Sequence, residues 1–169
     1  MKRIIVWITV LTLVLAGVFA MNACNKTDKN GVTYELNLEN FNEVVAYGEE
    51  VDLSRIKIIV TENGESVEVP VDASMVTTPA DTTKIGAKLL KINYSGQNFS
   101  VPIVVKYRVE YFADGVKLET FYVLNSSELQ AVEAPEKDGY VFSGWSAEIP
   151  DIITDNITVS AVYNPYIPT

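Results

Sequence analysis

The chain has 169 residues, among them 22 acidic and 13 basic ones, with no histidine and one cysteine. Apart from Lys2 and Arg3, eleven basic residues face all 22 acidic ones, so the chain beyond its start carries about −11. That charge excludes nucleic acid as a natural partner, and the missing histidine removes the commonest general base and metal ligand. A single cysteine allows no disulfide within the chain, so its cores must hold by apolar burial.

Taken in order, Lys2 and Arg3 form a positive tip. Ile4 to Met21 then runs without a charge, and Ala23 and Cys24 close it. A basic tip, an apolar segment and a small-residue exit make up an export leader. Three outcomes are open. Met21-Asn22-Ala23-Cys24 resembles the bacterial lipobox, with Asn22 where the family carries a small residue. The resemblance implies a signal peptide over 1–23 and a diacylglycerol thioether on Cys24. It also implies anchorage at the outer face of the cytoplasmic membrane. In the second outcome a general signal peptidase cuts after Ala20, with Val18 and Ala20 as the small residues, and the protein is released. In the third the segment stays uncut, although a spanning helix wants ~20 apolar residues. The lone cysteine falls where lipidation needs it, and that favours the first outcome. Residues 24–32, polar and without a period, are expected to form a tether.

From Thr33 the hydrophobic period is two. Ile56, Ile58 and Val60 alternate up to Asn63-Gly64, a hairpin dipeptide because both residues tolerate positive φ. Val67, Val69 and Val71 alternate on the return, with Pro70 marking an edge strand or a bulge. Leu90, Ile92 and Tyr94 share one face, Ser95-Gly96 turns the chain, and Phe99, Val101, Ile103 and Val105 lead back. Several short strands and no long amphipathic helix argue for an all-β chain. The run Tyr47 to Leu53, the Asn63-Gly64 hairpin and Asp81-Thr82-Thr83-Lys84-Ile85-Gly86 before a strand resemble the bacterial immunoglobulin-like domain, with Ile85 where the family has proline. The resemblance covers 33–106 and implies an immunoglobulin-like β-sandwich.

Lys106-Tyr107 passes into Arg108 to Phe112 with no glycine or proline linker, so the junction should be stiff. Asp114-Gly115 is another hairpin turn. Leu118, Phe121 and Val123 are the candidate buried positions of the returning strand. Asn125 with Glu128 three residues on can cap a single helical turn. In Gly139-Tyr140-Val141-Phe142-Ser143-Gly144-Trp145, alternation buries Tyr140 and Phe142 on one face, and a bulge at Gly144 turns Trp145 inward. The stretch resembles the Gly-Tyr-x-Phe-x-Gly-Trp signature of the internalin-type B repeat (Listeria–Bacteroides repeat). Val109-Glu110-Tyr111, Pro135 and a closing strand over 157–163 fall in family order. The resemblance covers 107–164, leaving 165–169 as a tail. It implies a small β-grasp-like surface module, present here as one copy where the family forms arrays.

The candidate sites are few. Tyr140, Phe142 and Trp145 can form either an aromatic platform for sugar or a core cluster, and a module of this size needs its aromatics inside. Glu148, Asp151, Asp155 and Asn156 are oxygen donors that could suit calcium, but they lack a cation-loop pattern. Glu49, Glu50 and Asp52 likewise read as solvated acids. Paired carboxylates for hydrolysis need a cleft that two small β modules do not offer. The expectation is therefore a cell-surface lipoprotein with no catalytic residue, cofactor or metal. It would touch the membrane through its lipid and a protein or glycan partner through its modules. The alternative is a structural spacer or assembly subunit of an envelope complex.

Overall fold

The structure, a computed structural model, describes residues 26–167. The leader and Cys24, on which the lipid reading rests, lie outside the described residues. Those residues form eleven β-strands and three short 3₁₀ turns with no α-helix, so the described chain is all-β. The strands are β1 (Lys26–Thr27), β2 (Thr33–Asn37), β3 (Val44–Ala46), β4 (Lys57–Glu62), β5 (Glu65–Pro70) and β6 (Val76–Thr78). They continue with β7 (Gly86–Tyr94), β8 (Gln97–Ala113), β9 (Val116–Val123), β10 (Tyr140–Trp145) and β11 (Ile157–Pro165).

Local chemistry places the hairpins. Asn63-Gly64, Ser95-Gly96 and Asp114-Gly115 all take positive φ at both positions, the mirror-image turn whose twist matches the flanking strands. They join β4 to β5, β7 to β8 and β8 to β9 as antiparallel pairs. The 3₁₀ turns share a capping device. Asp52, Asp72 and Asn125 each accept a hydrogen bond from the backbone N–H two residues on, at Ser54, Ser74 and Ser127. Asp81 does the same for Thr83 without a helical turn following. A short side-chain oxygen so placed satisfies a backbone donor that the turn leaves open.

Two sheets result, one in the order β1-β2-β4-β5 and one in the order β10-β11-β8-β7-β6, with β3 and β9 also paired to β8. Tyr34 and Ile58 of the first sheet meet Leu90, Ile92, Phe99, Val101, Ile103 and Val105 of the second in one apolar cluster. Each fully buried aliphatic chain contributes roughly 1.5–3 kcal/mol. A second, smaller cluster gathers Val109, Tyr111, Val123, Ile153 and Val159, with Leu118, Phe121 and Trp145 packed against it.

β8 belongs to both clusters. Its 17 residues form one continuous strand where two shorter strands were expected, so 106 and 107 are consecutive residues of one strand. Phe99, Val101, Ile103 and Val105 are buried in the first cluster, and Val109 and Tyr111, of the same parity, in the second. Side chains of one parity share a face, so both cores are attached to the same side of a rod about 55 Å long at ~3.3 Å per residue.

Two expectations are corrected. The tether is folded from Lys26 onward: Lys26 and Thr27 pair with Tyr34 and Thr33, and Asp28 Oδ1 accepts from the Val32 N–H at 2.9 Å. Tyr140 and Phe142 are 45% and 40% exposed rather than buried, because the second cluster ends at Trp145.

Candidate functional site

The signature stretch forms β10 and the turn before it. The Tyr140 N–H donates to the Lys137 carbonyl at 3.0 Å, and Gly139 sits at φ +76. β10 then pairs antiparallel with β11, Phe142 lying opposite Tyr163 and Trp145 opposite Ala161. The register shifts between Phe142 and Gly144, and Gly144 takes φ +136, a value a side chain resists. This is the expected bulge. It brings Trp145 onto the face of Tyr163, where its ring meets Tyr111 edge-on at 4.9 Å.

The aromatic chain continues outward. Phe142 lies 5.4 Å from Trp145 and 5.9 Å from Tyr163, both edge-on, a geometry that adds about 0.5–1.5 kcal/mol per pair. Lys137 Nζ stands 5.1 Å over the Tyr140 ring and 5.3 Å over the Tyr163 ring. The same ammonium donates to Asp114 at 2.8 Å, and that hydrogen bond raises its pKa above the ordinary lysine value. The Tyr163 hydroxyl donates to the Pro135 carbonyl at 2.8 Å. Of the expected aromatic trio, Trp145 serves the core, while Tyr140 and Phe142 prolong its face into solvent. Val141, on the opposite face, is 52% exposed.

The other candidates are engaged structurally. The Asn156 amide accepts from the Arg108 N–H at 2.9 Å and donates to the Tyr47 carbonyl at 2.9 Å. Glu49 pairs with Arg108. Asp52 caps its own turn and lies 3.7 Å from Arg55. Glu49, Glu50 and Asp52 border a groove of about 360 Å³ that also takes in Arg55 and Tyr122. Glu148, Asp151 and Asp155 are exposed. Among the described residues no three or more acids or cysteines converge as metal donors, and no helix is long and apolar enough to cross a membrane.

Sequence reasoning placed the junction at 106–107 but did not find the contacts that hold it. Tyr47 and Tyr107 stack at 5.3 Å, Lys106 lies 3.9 Å from Glu128, and Arg108 reaches both Glu49 and Glu110. Glu110 is two residues from Arg108 in the same strand, but the other partners stand far apart in the chain, so no local pattern announces them. No protein-family model, curated protein or solved structure matches the chain.

Proposed function

We propose that the chain is a bacterial cell-envelope lipoprotein, tied by lipid on Cys24 to the outer face of the cytoplasmic membrane, whose two β modules bind a partner without catalysis. In this reading 33–106 is an immunoglobulin-like β-sandwich and 107–164 a β-grasp-like B repeat. The observation that carries it is β8, one strand joining two cores end to end. Such a body holds a surface at a set distance from its anchor, which suits adhesion or envelope contact. The residues support a binding role over chemistry, since the acids at the turns and the junction are taken up by structural contacts.

The Asn156 bridge and the Arg108–Glu49 pair across the junction also favour a second reading, a spacer that positions another envelope protein. Labelling with radioactive palmitate tests the anchor common to both. The chain should take up label, globomycin should leave a larger precursor, and Cys24→Ser should lose the label. An unlabelled product of the same size with and without globomycin defeats the lipoprotein reading.

A further inference from the structure

Two asparagines shape the loop after β2. Asn37 Oδ1 accepts from the Glu39 N–H and Asn42 Oδ1 from the Val44 N–H, each at 3.0 Å, and the Phe41 N–H donates to the Leu38 carbonyl at 3.0 Å. Side-chain oxygens used in this way fix a turn, and here they hold Asn40 in an exposed one. Asn40 and Arg55 border the groove of about 360 Å³ and also a second of about 150 Å³, which takes in Asn37, Lys57 and Glu68. The two grooves therefore adjoin as one furrow, whose larger part alone lies within the ~300–1,000 Å³ of small-molecule sites. Tyr122 of β9 lines the larger part, and every other lining residue lies between 37 and 68. Only the two modules together complete the furrow.

Its ionic groups are largely spent on one another. Lys57 pairs with Glu68, Arg55 lies 3.7 Å from Asp52, and Glu49 pairs with Arg108. Glu39, Asn40 and Glu50 are exposed and enter none of these pairs. Asn42 uses its carbonyl oxygen in the turn and keeps its amide donors. The furrow thus presents amide donors, amide and carboxylate acceptors, and the rings of Phe41 and Tyr122, the latter 37% exposed. We propose that it binds a short neutral sugar chain. A sugar hydroxyl donates and accepts at once, which matches an amide beside a carboxylate, and the apolar face of a sugar ring covers an aromatic ring whose edge stays polar. Glu39 and Glu50 turn away uronic-acid and sulfated chains. A cation alone meets acids already neutralised by Arg55, Lys57 and Arg108. A loop fixed by its own hydrogen bonds loses little further freedom on binding. The proposal rests on the reading of the chain as a binding protein of the envelope, and gives that reading a ligand class.

The test titrates the full-length, isotope-labelled chain, held in a sugar-free detergent, with maltotriose, cellotriose, mannotriose and chitotriose. Trigalacturonate and trilysine serve as charged counterparts. One or more of the neutral sugars should bind with a dissociation constant of ~0.1–10 mM and move the amides of Asn40, Glu50 and Tyr122. Trigalacturonate should bind roughly tenfold more weakly or not at all. Tyr122→Ala and Asn40→Ala should each weaken the sugar about tenfold, whereas Tyr122→Phe keeps it. Asn40→Ala, in an exposed turn, should leave the melting temperature unchanged, which keeps the test valid where loss of the Tyr122 ring disturbs the fold. No binding of any neutral sugar, shifts confined to Tyr140 and Phe142, or equal affinity for trigalacturonate overturns the proposal. So does a response to trilysine alone, which assigns the furrow to basic peptides. The mass of the same preparation reports lipid on Cys24. Lipidated chain that binds no sugar loses the furrow and keeps the anchor, and unlipidated chain that binds sugar does the reverse.

Discussion

Asn156 shows how much one side chain can hold. The residues Val104, Lys106 and Arg108 turn their backbone polar groups to one edge of β8, where Val104 and Lys106 bond to Glu43 and Tyr47. β3 has ended by Arg108 and β11 has not begun, so the Asn156 amide fills the gap from both sides. Alanine there strands a part-buried donor and a part-buried acceptor, which costs about 1–3 kcal/mol for each group left unpaired. Aspartate keeps the bond from Arg108 and loses the one to Tyr47, so Asn156→Asp should fall between wild type and Asn156→Ala in denaturant midpoint. A loss for alanine within the ~0.5 kcal/mol of an ordinary surface change would remove the bridge from the account. The same geometry makes Asn156-Ile157-Thr158 a poor glycan acceptor, since its amide nitrogen is already donating.

At the scale of elements, the capped turns predict a response to acid. Asp52, Asp72 and Asp81 all have lowered pKa values, first through the hydroxyl of Ser54, Ser74 or Thr83, and Asp81 reaches about 2. A carboxylate with a lowered folded-state pKa stabilises fully above its ordinary value near 3.8, and that contribution is lost as pH falls through the folded value. The melting temperature should therefore drop between pH 4 and pH 2, a window set by these lowered values. The triple variant Asp52→Asn, Asp72→Asn and Asp81→Asn keeps an acceptor at each turn but cannot titrate. Its melting curve should be flatter over that window, and an equal slope in both proteins would show that other carboxylates govern the acid response. These turns were legible in part, because Asn125 with Glu128 and the three hairpin dipeptides are local patterns. Burial at Tyr140 and Phe142 was not, since alternation reports which side chains share a face and says nothing of where the covering layer stops.

For the whole molecule, the consequence of β8 is mechanical and thermodynamic. Two cores that share a strand cannot lose one part of it without weakening the pairing of the rest. Ile103→Ala in the first cluster, a truncation that costs ~2–5 kcal/mol, should lower hydrogen-exchange protection at Val109 and Val159 in the second, and unfolding should remain a single transition. Two separable transitions, or a second cluster whose protection is unchanged, would make the modules independent units on a passive linker.

The sequence by itself determined the all-β class, the placement of the turns and the alternating core positions of β4, β7 and β8. These follow from contacts within a few residues and from the strand period of two. It also set the acidic charge and the absence of histidine, which need no fold. Only the tertiary structure decided that Lys106 and Tyr107 lie within one strand, that β3 and β11 share an edge of it, and that Tyr140 and Phe142 stay in solvent. Each of these depends on which distant segment arrives to cover a surface or pair an edge, and no spacing along the chain records that arrival.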